Sequence, residues 1–294
     1  MSTRTLESNR MGRIVANVPY AVYAAGAGQN VSPLKGFARS ALHFKHGREN
    51  KSESDALTLG TAAHCATLEP HRFGSDFAVW DRRKENGDMA ARTGPKWEEF
   101  KAANAGKELI TEDQRDAALA IAQAVRGSAD AMVYLKRGHA EVSMAWHDEQ
   151  SFSMLKGRVD WLTVVDGCDV LVGLKTTRDL RPRKFAAQAS DLCYHWQWSF
   201  YADGFERITG RTPLMVEIVV ENAAPHAVAV YRIPEHVLER GRQEYREALE
   251  QLARCEASGV WPGPVVGEVD FDLPAWAYPT DEEPQFDCDE EGAA

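Results

Sequence analysis

Two strand-like runs, "FSMLKGRVDWLTVV" and "VLVGLKTT", are joined by Asp166, Gly167, Cys168 and Asp169. Asp-Gly is a preferred two-residue hairpin loop. With Asp166 and Gly167 in that loop, Asp160 falls opposite position 173, and facing side chains of a hairpin have Cβ atoms about 5 Å apart. Lys175, two residues on, shares the face of position 173 because strand side chains repeat with a period of two. Two carboxylates at that spacing would grip one divalent cation, with the Lys175 ammonium on the same face. Position 173, however, is glycine. The geometry alone leaves open that Asp160 is simply the ion-pair partner of Lys175 or Arg158.

Other residues have types suited to the same chemistry. His64 lies in the helix-like "ALTLGTAAHCATLEP", Glu141 in the strand-like "AEVSMAWH", and Gln197 and Tyr201 in the aromatic helical run "SDLCYHWQWSFYADGFERITG". The last two are four apart and so share a helix face. A helical histidine on its own is more often packed or exposed than a ligand. Basic residues cluster at Arg82, Arg83 and Lys84, and again at Arg178, Arg181, Arg183 and Lys184 directly after the lysine strand. Clusters of this kind are usually solvated faces.

The elements that must carry these groups can be read from periodicity. "VSPLKGFARSALHFKHG" predicts one short amphipathic helix with Ser32 and Pro33 at its start. "TEDQRDAALAIAQAVRG" predicts a helix opened by a capping box at Thr111. "AEVSMAWH" and the two runs above read as an antiparallel meander, followed by the aromatic helix ending at Gly210, strands at "PLMVEIVVEN" and "HAVAVYRIP", and a final long helix. Residues 1–30 read as an arm, 81–106 as a charged surface insertion, and 279–294 as an acidic, disordered tail, leaving one α/β domain over 31–278.

Composition sets outer limits. The chain has 294 residues, 44% of them hydrophobic and 27% charged, enough to bury roughly 75% of its unfolded surface. It has no apolar run of the roughly 18 residues a membrane span needs. The N-terminal residues lack the apolar core of a secretory signal, and the five cysteines are scattered without a C-x-x-C pair, so a cytoplasmic location is expected. Net charge is −10, with seven acids and no base in "PTDEEPQFDCDEEGAA". That balance opposes nucleic-acid binding through bulk positive charge and calls for a local basic surface instead.

In order and spacing, "GTAAHCATLEP", "KGRVDWL", "GLKTTRD" and "YHWQWSFYADG" resemble the motifs of the PD-(D/E)xK nuclease superfamily, and among its members the phage-type RecE (exodeoxyribonuclease VIII) exonuclease domain. The resemblance implies a restriction-endonuclease-like core, a central mixed β-sheet flanked by helices. It implies His64, Asp160 and the backbone carbonyl of Leu174 as metal ligands, Glu141 as a further acid, Lys175 as the group positioning the attacking water, and Gln197 and Tyr201 as residues facing the site and the scissile strand. DNA contacts are expected at Arg158, Tyr201, Arg178, Arg181, Arg183 and Lys184. The activity implied is a Mg²⁺- or Mn²⁺-dependent exonuclease digesting double-stranded DNA ends 5′ to 3′. A ring-shaped homo-oligomer around the duplex and a single-strand annealing protein of RecT type as partner are expected with it.

Gly173 departs from this pattern, since the family carries its second carboxylate ligand there. Asp169 shares the strand face but is four residues, roughly 13 Å, away, and Asp179 lies past the strand end. Glu141 is the best placed relocated acid. A substitution introduced into an active parent, a natural nuclease with a relocated acid, and a chain that binds DNA ends without cutting them all remain open at this stage. The last is the alternative reading of function.

Overall fold

The computed structural model describes residues 2–50, 55–85, 87–274 and 277. Its centre is a seven-stranded mixed sheet with spatial order β1-β2-β5-β6-β7-β8-β9. The strands are β1 (Arg4–Asn9), β2 (Gly12–Ala16), β5 (His139–Asp148), β6 (Ser153–Val165), β7 (Cys168–Thr177), β8 (Leu214–Glu221) and β9 (Val228–Arg232). Only β7 and β8 run parallel; every other neighbouring pair is antiparallel. A separate parallel pair is formed by β3 (Phe77–Trp80) and β4 (Glu108–Thr111).

The helices are α1 (Tyr20–Ala25), α2 (Val31–Leu34), α3 (Ala41–Glu49), α4 (Asp55–Leu68), α5 (Phe73–Asp76), α6 (Pro95–Ala103), α7 (Glu112–Gly127), α8 (Ala129–Leu135), α9 (Pro182–Asp191), α10 (Tyr194–Thr209) and α11 (Glu235–Ser258). They cover both faces of the sheet. Leu171, Met215 and Val219 point to one face, against Phe200, Phe205 and Tyr245 of α10 and α11. Val170, Val172, Leu174, Val216, Ile218 and Val220 point to the other, against Ala62, Ala66, Ile121 and Val125 of α4 and α7. The near-continuous apolar runs of β7 and β8 follow from burial on both faces. The single α/β core with a mixed sheet is therefore the architecture the periodicities predict.

The Thr111 capping box is present in both halves, with Gln114 N–H donating to Thr111 Oγ1 and Thr111 N–H to Gln114 Oε1. Three expectations change. Residues 1–30 are not simply an arm: β1 and β2 extend the sheet onto β5, with Ile14 and Ala16 fully buried. Their apolar run is too short to stand out by periodicity. The helix expected across 31–47 is three pieces, because Ser40 caps a fresh helix by accepting from His43 N–H. The 81–106 segment contains α6, whose Trp97 and Phe100 rings pack on Trp80. The expected tail at 279–294 lies outside the described residues.

Candidate active site

The site forms where the sheet opens. Asp166 and Gly167 both adopt the left-handed conformation, φ 50° and 80°, as a type I′ loop demands, and Val165 faces Cys168 in consequence. The β6–β7 ladder runs back from there to Trp161 opposite Val172 and stops. On the other side of β6, Ala140 pairs with Trp161 and Val142 with Val159, while Glu141 is left-handed at φ 50° between them. Asp160 thus sits in a fork between strands, and its carboxylate accepts the Leu174 N–H at 2.8 Å.

Three expected groups converge on Asp160. Lys175 Nζ lies 3.6 Å from its Oδ2, and His64 Nδ1, reaching down from α4, lies 3.8 Å from the same oxygen. His64 Nε2 is 2.6 Å from the Leu174 carbonyl; a carbonyl only accepts, so that nitrogen carries the proton here. Ligand atoms of His64, Glu141 and Asp160 all lie within 4.8 Å of one another. One imidazole and two carboxylates so spaced, with a carbonyl oxygen alongside, fit a hard divalent cation such as Mg²⁺ or Mn²⁺.

Gln197 and Tyr201 form the opposite wall, side by side on α10, with Gln197 Nε2 donating to Tyr201 Oη at 3.3 Å. Both line a cavity of about 10 Å³ together with Asp160, Gly173 and Lys175, about the volume one water needs. Gly157 makes room for this wall, since a Cβ there would meet the Tyr201 ring at 2.8 Å.

Two residues of the site escaped the sequence reading. Glu217 on β8 pairs with Gly173 on the parallel ladder, and its Oε1 is 3.6 Å from Lys175 Nζ. Its other oxygen, Oε2, accepts from Trp198 Nε1. Lys35, just after α2, donates to Gln197 Oε1 at 3.3 Å, and it and Lys175 lie over the Tyr194 ring at 5.1 and 5.6 Å. The only sequence signal for Glu217 is an acid in the middle of an otherwise apolar strand, "LMVEIVVE".

Burial and charge pull these groups in different directions. Burial disfavours the charged form of Asp160, yet Lys175, His64 and the Leu174 N–H outweigh it and hold the carboxyl below its ordinary range. Burial also disfavours the Lys175 ammonium, and Glu217 and Asp160 overcome that, so Lys175 stays charged. Glu217 goes the other way: burial exceeds the help from Lys175 and raises its carboxyl. Glu141 is raised by burial and then by Asp160, against His64 and Arg158. Lys35 is lowered to about 8, first by burial and then by Lys175.

The expected DNA contacts divide. Arg178, Arg183 and Lys184 are exposed around the start of α9. Arg181 is exposed too, but Asp179 holds it in an ion pair. Arg158 is corrected: its side chain is only 9% exposed, bonds Glu141 at 2.6 Å and donates to the Val18 carbonyl, so it is not a free phosphate contact. Tyr201 is likewise buried in the cavity wall. Asp169 and Asp179 are engaged by Arg211 and Arg181, which removes both as relocated acids.

A mixed sheet that forks around Asp160, with Lys175 and His64 closing on it, defines a nuclease fold of the PD-(D/E)xK type. Residues 30–271 match the family described as a PDDEXK-like domain of unknown function (DUF3799), and the chain belongs to that family. A search of the curated proteins finds no match. Among solved structures, the chain is similar to one titled "Putative exonuclease" from Eubacterium rectale, with a TM-score of 0.57 and 18% identity over 83% of this chain and 87% of that one. SSO0001 (TM-score 0.38, 12% identity, 82% of this chain and 89% of that one) and VC1899 from Vibrio cholerae (TM-score 0.23, 12% identity, 83% and 58%) are more distant. Among the described residues, no helix is long and apolar enough to cross a membrane.

Proposed function

We propose that the protein is a divalent-metal-dependent DNA exonuclease that acts on double-stranded ends, 5′ to 3′, leaving a 3′ single strand. The observation that carries this reading is the convergence of His64, Glu141 and Asp160 within 4.8 Å, with Lys175 ammonium 3.6 Å from the same Asp160 oxygen. His64, Asp160, Glu141 and the Leu174 carbonyl would hold the cation, which when bound supplies a charge sink for the phosphoryl oxygens and a more acidic water. Lys175 is kept charged by the two acids beside it and orients the attacking water. Gln197 and Tyr201 wall the cavity and restrict how the reacting phosphate can sit. Arg178, Arg183 and Lys184 supply the local positive surface that an acidic protein needs for a DNA backbone. The same reading carries a ring-shaped homo-oligomer enclosing the duplex and a strand-annealing partner for the product.

Nucleotide release from linear duplex DNA with Mg²⁺ or Mn²⁺, using separate 5′ and 3′ labels and a covalently closed circle, tests the proposal. Release from the linear form, loss in Asp160→Asn and an intact circle are expected. Binding of ends with no release in either metal would overturn the exonuclease reading in favour of a silent end-binding protein, and cutting of the circle would make it an endonuclease.

A further inference from the structure

Buried carboxylates are costly, and one oxygen of Glu217 has no hydrogen bond in the site as described so far. Glu217 is 1% exposed. Trp198 donates to its Oε2, while Oε1 is buried with no hydrogen-bond partner among the described residues. Leaving an acceptor buried and unused is unfavourable, more so when it is charged. The free oxygen lies 3.6 Å from Lys175 Nζ, which is too long for a hydrogen bond, and Asp160 Oδ2 lies at the same distance from that ammonium. Both acids line the same cavity.

The placement is possible only because position 173 is glycine. Gly173 and Glu217 are direct neighbours on the parallel β7–β8 ladder. A Cβ on residue 173 would lie 2.4 Å from Glu217 Oε2 and 2.5 Å from Oε1, about as near as the oxygens of an aspartate lie to their own Cβ. The Glu217 carboxylate therefore fills the volume that an acidic side chain at 173 would fill, reaching it from the adjacent strand.

We infer that Glu217 is a third carboxylate of the cation site beside Asp160 and Glu141, turning its free Oε1 to a Mg²⁺- or Mn²⁺-class ion held by Asp160, with Trp198 as the residue that positions it. This rests on the proposed nuclease reading of the site. Gly173 is then not a lost ligand but the gap through which the ligand enters.

Titration of Mn²⁺ into the full-length chain without DNA, followed by calorimetry, tests this independently of cleavage. Glu217→Gln keeps an acceptor for Trp198 and should weaken Mn²⁺ binding by at least about 10-fold, since loss even of outer partners costs about 10–100-fold. Glu217→Ala should weaken it as much, and Gly173→Asp combined with Glu217→Ala should recover affinity to within a few-fold of the parent. Unchanged affinity in Glu217→Gln, or no recovery in the double variant relative to folded Glu217→Ala, overturns the inference. Asp160→Asn separates the two failures: if it alone loses Mn²⁺, the cation site stands without Glu217, and if it also binds normally the nuclease reading falls as well. Should Glu217→Gln fail to fold, the comparison of Glu217→Ala with the double variant decides.

Discussion

Replacing Gly173 with alanine adds one methyl group and no charge, so it isolates the steric link between β7 and β8. At a site where the backbone can accept it, Gly→Ala stabilises by about 0.4–1 kcal/mol through the unfolded chain. Residue 173 has no left-handed φ to forbid the change. The new Cβ, however, would stand 2.4, 2.5 and 2.7 Å from Oε2, Oε1 and Cδ of Glu217, and the carboxylate has to move. Overpacking of a full interior costs about 1–3 kcal/mol, and losing the charge-assisted bond from Trp198 costs about 1.5–3 kcal/mol more. The balance is a destabilisation of roughly 3 kcal/mol. In a Glu217→Ala background the obstacle is gone, and Gly173→Ala should be neutral or slightly stabilising. Urea unfolding of the four proteins of this cycle at pH 7 gives the coupling, provided the m values agree. The reasoning is refuted if Gly173→Ala costs the same in both backgrounds, or if it stabilises the parent.

Two more expectations follow from the charges around the site. Lys35 has its pKa lowered from 10.5 to about 8, so the unfolded chain binds its proton more tightly and stability should rise between about pH 8 and 10.5 and be lost again as pH falls through that window. Lys35→Met should flatten this rise and add up to roughly 3 kcal/mol at pH 7; an unchanged pH slope in urea unfolding contradicts the assignment. Arg178→Ala with Arg183→Ala should weaken duplex binding and reduce the slope of log K against log salt by roughly 2, near 0.9 for each phosphate no longer neutralised. Arg181→Ala should change it less because Asp179 already engages that side chain, and an unaltered slope in the double variant would remove this surface from the DNA path.

The meander was legible because its information is local. Asp166-Gly167 fixes the loop, the loop fixes the register, and the register brings Asp160 to the strand that carries Lys175. Gln197 and Tyr201 were legible as an i, i+4 pair for the same reason. The N-terminal strands were not, because Ile14 and Ala16 become a buried edge only once β5 is there to receive them. Nor was the burial of Arg158, whose charge is absorbed by Glu141 on the next strand and by the carbonyl of Val18, far away along the chain.

Glu217 shows the limit more sharply. A hairpin declares its register in two residues, but β7 and β8 are parallel and are joined through α9 and α10, so nothing in the intervening sequence says which residue of β8 will stand beside Gly173. Reading position by position, an acid expected at 173 and found at 217 looks like an absence in one place and an anomaly in another. In space the two observations are one: β7 offers no side chain at Gly173, and the Glu217 carboxylate of β8 occupies the volume beside it. That a Cβ at 173 and the carboxylate at 217 cannot coexist makes the two positions a single unit. Substitution at either one alone should therefore be read against the residue at the other.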